Sequence, residues 1–81
     1  MERTEILRLL KEILTRLGKP TDFAEDAELT AIGFRSLDFS ELALRVEMAA
    51  NVTLTFDAAP LRAIRTVKDV IDFLHAASAK P

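Results

Sequence analysis

An all-α fold is expected, a small four-helix bundle with a long loop between the first and second helices and a short third helix. Three observations lead there. Apolar residues recur at steps of three, four and seven in three separate stretches, the spacing of one helical face. A single short run, Val52, Leu54 and Phe56, alternates in the manner of a strand, and no second such run exists to pair with it. Finally, 49% hydrophobic and 30% charged residues in a chain of 81 suit one packed domain, 1–81, near the size at which a single core gives only modest stability.

The first helix is expected over residues 3–17, where Ile6, Leu7, Leu10, Ile13, Leu14 and Leu17 share a face. Glu2 and Glu5 near its start and Arg16 near its end agree with the macrodipole, and Gly18 and Pro20 stop it. Residues 18–35 then hold no period, although Phe23, Leu29, Ile32 and Phe34 recur as single apolar anchors. Loops of this length tend to be functional or to cross the core, and the anchors suggest a loop laid across the helices. The acidic run Asp22, Glu25, Asp26 and Glu28 reads as a solvated face.

The second helix is expected over residues 37–50, with Phe39, Leu42, Ala43, Val46, Ala49 and Ala50 towards the core. A second row, Leu37, Glu41, Leu44 and Met48, forms another face, flanked by Asp38 and Glu47. Large apolar side chains beside carboxylates mean either unusual burial or a strip that binds a partner, and composition does not choose between them. Residues 52–56 read as an extended connection that plugs apolar side chains into the core. A short helix is expected over residues 58–64, with Pro60 in its first turn, where the missing N–H is tolerated. The last helix, over residues 67–76, has the buried stripe Val67, Val70, Ile71 and Leu74. It starts with Thr66-Val67-Lys68-Asp69, a capping box with a shorter acid than usual.

Composition narrows the function. Without cysteine there is no thiolate metal site and no thiol nucleophile, and with one histidine a metal centre would have to be built from carboxylates, so none is expected. A net charge of −2, with scattered basic residues, gives no support to binding of nucleic acid or of an anionic membrane. No apolar run approaches the ~20 residues of a membrane span, so no membrane insertion is expected. The acidic start leading into an amphipathic pattern is unlike a signal peptide, which makes the cytoplasm the default location and a monomer the simplest state.

Ser36 stands where the irregular stretch gives way to the second helix, and the plain reading of a serine there is an N-cap. Ser36, Asp38 and His75 contain the residue types of a nucleophilic triad, but no nucleophile-elbow glycines surround Ser36. His75, at the end of the last helix, reads as a partly exposed terminal residue. With Gly18 and Gly33 alone, no phosphate-cradling glycine loop can be built. No catalytic activity is expected. A helix start does, however, stabilise an attached phosphate, so a phosphoester at Ser36 suits the position.

The sequence resembles the acyl carrier proteins. The motif Ile32-Gly33-Phe34-Arg35-Ser36-Leu37-Asp38 is followed by Glu41-Leu42 and Glu47, preceded by Leu29, and joined later by Thr66-Val67-Lys68-Asp69 and Leu74. The likeness extends over most of the chain, including the lengths of the first helix and the long loop. It implies a four-helix domain whose Ser36 carries covalent 4′-phosphopantetheine, delivered from coenzyme A by a phosphopantetheinyl transferase. The arm's thiol would hold cargo as a thioester, loaded by an acyl or aminoacyl ligase and passed to downstream transferases or synthases of a lipid, polyketide, peptide or other specialised pathway. Leu37, Asp38, Glu41, Leu44, Glu47 and Met48 correspond to the family's recognition helix, where acids steer basic partners and apolar residues dock.

Arg35 departs from the family, which usually has an acid immediately before the serine. Overall charge is also milder than in strongly acidic carriers, with Arg35, Arg45, Arg62, Arg65 and Lys68 near the recognition region, which points to a specialised carrier. Two other readings remain: an unmodified carrier-like helical interaction module, and a small hydrolase using Ser36.

Overall fold

The structure is a computed structural model that describes residues 1–54 and 61–78. Among these, three helices pack around one core: α1 (Arg3–Arg16), α2 (Ser36–Ala50) and α3 (Val67–Ser78). Ile6, Leu10, Ile13 and Leu14 of α1 meet Leu42 and Val46 of α2 and Val67, Val70, Ile71 and Leu74 of α3, all fully buried. Burying each such side chain contributes about 1.5–3 kcal/mol. Phe39 and Phe73 add a tilted ring contact between α2 and α3, with centroids 6.3 Å apart.

Each helix end has an identifiable cause. In α1, Gly18 adopts φ 75°, and the N–H groups of Gly18 and Lys19 close onto Thr15 O and Leu14 O at 3.0 and 2.9 Å. This is the double closure of a Schellman end, and it places Leu17 outside the core, 43% exposed, contrary to the expectation that it continues the buried face. Leu9, which the periodic count left out, is buried instead. Asn51, with φ 57° and ψ 47°, ends α2, after which Val52 N–H donates to Glu47 O at 3.1 Å. At α3 the capping box is reciprocal: Asp69 N–H donates to Thr66 Oγ1 at 3.2 Å and Thr66 N–H to Asp69 Oδ2 at 3.0 Å.

Of the short helix expected over residues 58–64, residues 58–60 lie outside the described residues. Within them, Leu61 and Arg62 are helical and Ile64 N–H donates to Leu61 O at 3.2 Å. The expected connection over 52–56 is described as far as Leu54, which is buried while Thr53 is exposed and Val52 half-buried. Residues 52–54 form no strand.

The long loop is stitched to the start of α3. Leu29 N–H donates to Arg65 O at 2.9 Å, Val67 N–H to Ala27 O at 3.0 Å and Lys68 N–H to Glu25 O at 2.8 Å, around a single antiparallel bridge between Glu28 and Thr66. Phe34 is the anchor that reaches the core; Phe23, Leu29 and Ile32 pack half-buried against it. Gly33 takes φ 76°, and a Cβ there would stand 3.0 Å from the Lys19 side chain, whose Nζ donates to Gly33 O at 2.5 Å. These bonds deliver the chain to Arg35 and Ser36 in a fixed direction.

Candidate functional site around Ser36

Ser36 is the first residue of α2, not the residue before it. The cap is made by Asp38 instead: its Oδ2 accepts the backbone N–H of Arg35 at 2.9 Å. A carboxylate in the first turn also matches the positive end of the helix dipole. The Ser36 side chain is exposed, and its hydroxyl has no hydrogen-bond partner among the described residues. The N-cap role that explains most serines at such a position therefore does not apply.

Ser36 stands on the lip of a cleft of about 780 Å³ between the end of the long loop, the start of α2 and the segment leading into α3. Leu29, Phe34, Phe39, Leu61 and Ile64 supply apolar lining, while Arg35, Ser40 and Arg65 supply polar groups. The volume is in the range of ligand sites. Arg65 is held only loosely by Glu28, at 3.4 Å between largely exposed side chains. The Arg35 guanidinium has no partner among the described residues. Ser40 was not singled out by sequence, and Arg65 was named only as one of several basic residues near the recognition region; the backbone bond from Leu29 N–H to Arg65 O brings Arg65 to the cleft, and no local motif signals it.

The strip along α2 divides in two. Leu37, Leu44 and Met48 are exposed, at 83%, 55% and 74%, so the second face of α2 is not an additional buried face. Its acids are engaged within the domain. Glu41 accepts Arg16 Nη2 at 2.5 Å and Arg45 Nη2 at 3.0 Å, and Arg45 reaches on to Glu12 at 3.4 Å, so an ion-pair network joins α1 to α2. Glu47 Oε2 accepts the Leu54 backbone N–H at 2.7 Å, fastening the segment that follows α2 to the end of that helix.

His75 lies away from all of this. Its Nδ1 donates to Met1 O at 2.8 Å, at the N-terminal end of α1, while the Arg16–Glu41 pair ties the start of α2 to the other end of that helix. Fourteen residues of helix, about 20 Å, separate the two ends, so Ser36 and His75 do not form a catalytic pair. No group of three or more His, Asp or Glu side chains among the described residues is arranged to hold a metal ion, and no described helix is long and apolar enough to cross a membrane.

No family model and no solved structure matches the chain. A curated protein named acyl carrier protein, from Coprothermobacter proteolyticus, is 36% identical over 83 residues, an alignment that covers 94% of this chain and 94% of that protein. Near end-to-end similarity of that degree, on an all-helical domain with an exposed, uncommitted serine at the start of its second long helix, establishes the relationship. The chain belongs to the acyl carrier protein family.

Proposed function

We propose that the domain is a carrier, that Ser36 accepts 4′-phosphopantetheine from coenzyme A, and that the loaded domain delivers acyl or aminoacyl cargo to partner enzymes. The observation that carries this reading is the Ser36 hydroxyl, exposed and without a partner among the described residues at the first turn of a 15-residue helix. The residues fit the group. A phosphodiester on Ser36 would meet the positive end of α2 and the Arg35 guanidinium, and the cleft beside it offers apolar surface to an arm folded back on the domain. When bound, the group supplies a terminal thiol that holds cargo as a thioester, which this cysteine-free chain cannot supply itself.

The chain's own residues contribute placement. The Schellman end of α1, the Gly33 turn and the loop's bonds to α3 hold Ser36 outward, and Asp38 caps the helix so that the hydroxyl is not needed there. Leu37, Leu44 and Met48, on the helix that Ser36 opens, present apolar surface to enzymes that must reach the arm. No catalytic role is assigned to any residue. Secondary-pathway cargo is favoured by Arg35, which departs from the family's usual acid.

Incubation with coenzyme A, magnesium and a panel of phosphopantetheinyl transferases, followed by intact mass measurement, tests the reading. One phosphopantetheine should be gained, and Ser36→Ala should gain none. No gain with any transferase would favour the unmodified interaction module. Ester hydrolysis lost on Ser36→Ala would favour the hydrolase.

A further inference from the structure

Lys19 is fixed at its base and committed at its tip. Its backbone follows the left-handed Gly18, its N–H closes onto Leu14 O at 2.9 Å, and Pro20 after it restricts it further. From there the half-buried side chain crosses to the far end of the long loop, where Nζ donates to Gly33 O at 2.5 Å. Among the described residues the ammonium has no carboxylate partner, so this carbonyl is the acceptor that holds it. A charged donor makes such a bond stronger than one between neutral groups.

The carbonyl it holds is close in the chain to Ser36. Gly33 O and Phe34 N–H belong to one planar peptide, and that N–H is itself bonded to Leu29 O at 2.9 Å. The unit is thus gripped on both edges, by the loop on one and by Lys19 on the other. After it, the Phe34 side chain is buried and the Arg35 N–H is bonded to Asp38, so each step from Gly33 to α2 has its own restraint. Gly33 is the weak step. At φ 76° a glycine keeps a conformational freedom that no side chain limits, and the Lys19 chain lies against the place of a Cβ, with Cδ and Nζ 3.0 Å from it. Lys19 supplies the restraint that a side chain on residue 33 cannot.

Resting on the carrier reading, we infer that Lys19 is a positioning residue for the modification of Ser36: acting through the Gly33–Phe34 peptide, it sets the direction in which the chain enters α2 and so the aim of the Ser36 hydroxyl. In that step a bond forms from Ser36 Oγ to the phosphorus next to the pantetheine of coenzyme A. The bond from that phosphorus to the bridging diphosphate oxygen breaks, adenosine 3′,5′-bisphosphate leaves, and the hydroxyl proton passes to a base of the transferase. Lys19 does not line the cleft beside Ser36 and bonds no atom of the serine. Its effect therefore falls on turnover rather than on docking, because the attacking oxygen must be in line with the phosphorus however well the domain is bound. Misplacing a reacting atom by about 1 Å can cost about a hundredfold in rate; the restraints that remain at Phe34 and Arg35 make the loss here smaller.

The test follows conversion of the unmodified protein by a broad-specificity phosphopantetheinyl transferase with coenzyme A and magnesium, measuring kcat and KM for the carrier. Lys19→Met keeps an unbranched side chain and loses the ammonium. It is expected to lower kcat about three- to tenfold with KM changed by less than about twofold, and Lys19→Arg, which keeps a charged donor, is expected to restore most of the loss. Amide exchange at Phe34 should quicken in the methionine variant and not in the arginine one. Circular dichroism and melting temperature are recorded alongside, and rates are taken where every variant is folded. A lowered melting temperature with kcat unchanged would mean that Lys19 only stabilises the fold, and overturns the inference. So does a raised KM with kcat retained, which would mean that the transferase touches Lys19 directly, or an arginine variant as impaired as the methionine one. In each of these cases the parent protein still gains its phosphopantetheine, so the carrier reading stands. No mass gain by the parent with any transferase overturns that reading and this inference together.

Discussion

Asp38 and Arg35 are joined by a hydrogen bond of 2.9 Å from the Arg35 backbone N–H to Asp38 Oδ2, and this bond makes the start of α2 independent of the serine between them. If Ser36 is the proposed attachment point, its hydroxyl must stay exposed, whereas a capping hydroxyl must bend back onto the helix. Moving the cap to the third helical position resolves the conflict.

Asp38→Ala is therefore expected to destabilise the domain by about 1 kcal/mol, the usual loss for a capping side chain. Ser36→Ala is expected to change stability by less than about 0.5 kcal/mol, as for a surface position without bonds. Urea denaturation of the two variants checks the contrast; a loss in Ser36→Ala equal to that in Asp38→Ala would return the cap to the serine.

Glu47 provides the second structural prediction. Its carboxylate accepts the Leu54 N–H at 2.7 Å, beside a side chain that is buried. Glu47→Ala leaves that donor without a partner and is expected to cost about 1–3 kcal/mol, while Glu47→Gln keeps an acceptor and costs less. Amide exchange at Leu54 is the direct readout: fast in the alanine variant, slow in the glutamine variant.

These two residues also mark how far the sequence can be read. Helical periodicity located α1, α2 and α3 within a residue or two at most ends, and the Thr66–Asp69 box was legible because both partners lie within one turn. The strip on α2 was ambiguous for a physical reason: a face of Leu and Met beside carboxylates has the same periodicity whether it is buried or exposed. Exposure of Leu37, Leu44 and Met48 depends on where the loop and α1 lie. The Glu41 network depends on Arg16, 25 residues away, and no local pattern encodes that distance. Arg65 joined the cleft by the same kind of long-range backbone pairing. The expected cap at Ser36 was displaced by a competing carboxylate that sequence alone does not rank above a hydroxyl.

Acid should loosen the start of α3 and its surface ion pairs. Asp69 titrates below its ordinary value because the backbone N–H groups of Arg65 and Thr66 bond its carboxylate, and Asp72 is lowered chiefly by the Lys68 ammonium, with Arg3 adding to it. A carboxyl group whose pKa is lower folded than unfolded adds stability above its unfolded pKa, and that stability is lost as pH falls through the folded one. Stability should therefore hold down to about pH 4 and decline below it. Asp69→Asn removes one of the titrating groups, so the acid limb of a plot of melting temperature against pH should flatten. An unchanged limb would show that Asp69 does not contribute to it.

Arg35 yields the prediction that bears most on what kind of carrier this is. In the proposed modified state a phosphodiester is attached one residue from its guanidinium, at a helix end where a negative charge is already favoured. Arg35→Asp replaces attraction by repulsion at that position. Interactions of a charge with a helix terminus amount to about 0.3–1 kcal/mol, and reversing the neighbouring charge should shift the balance between unmodified and modified forms by about 1 kcal/mol. For a domain of this size that corresponds to about 4–8 °C in melting temperature. The measurement compares the two forms of each protein: modification should raise or leave unchanged the melting temperature with Arg35 and lower it with Arg35→Asp. The difference should shrink in high salt, because Arg35 is exposed. An equal response of both proteins to modification would mean that Arg35 does not face the phosphodiester, and would turn attention to Arg65 as the cation on the other side of the cleft.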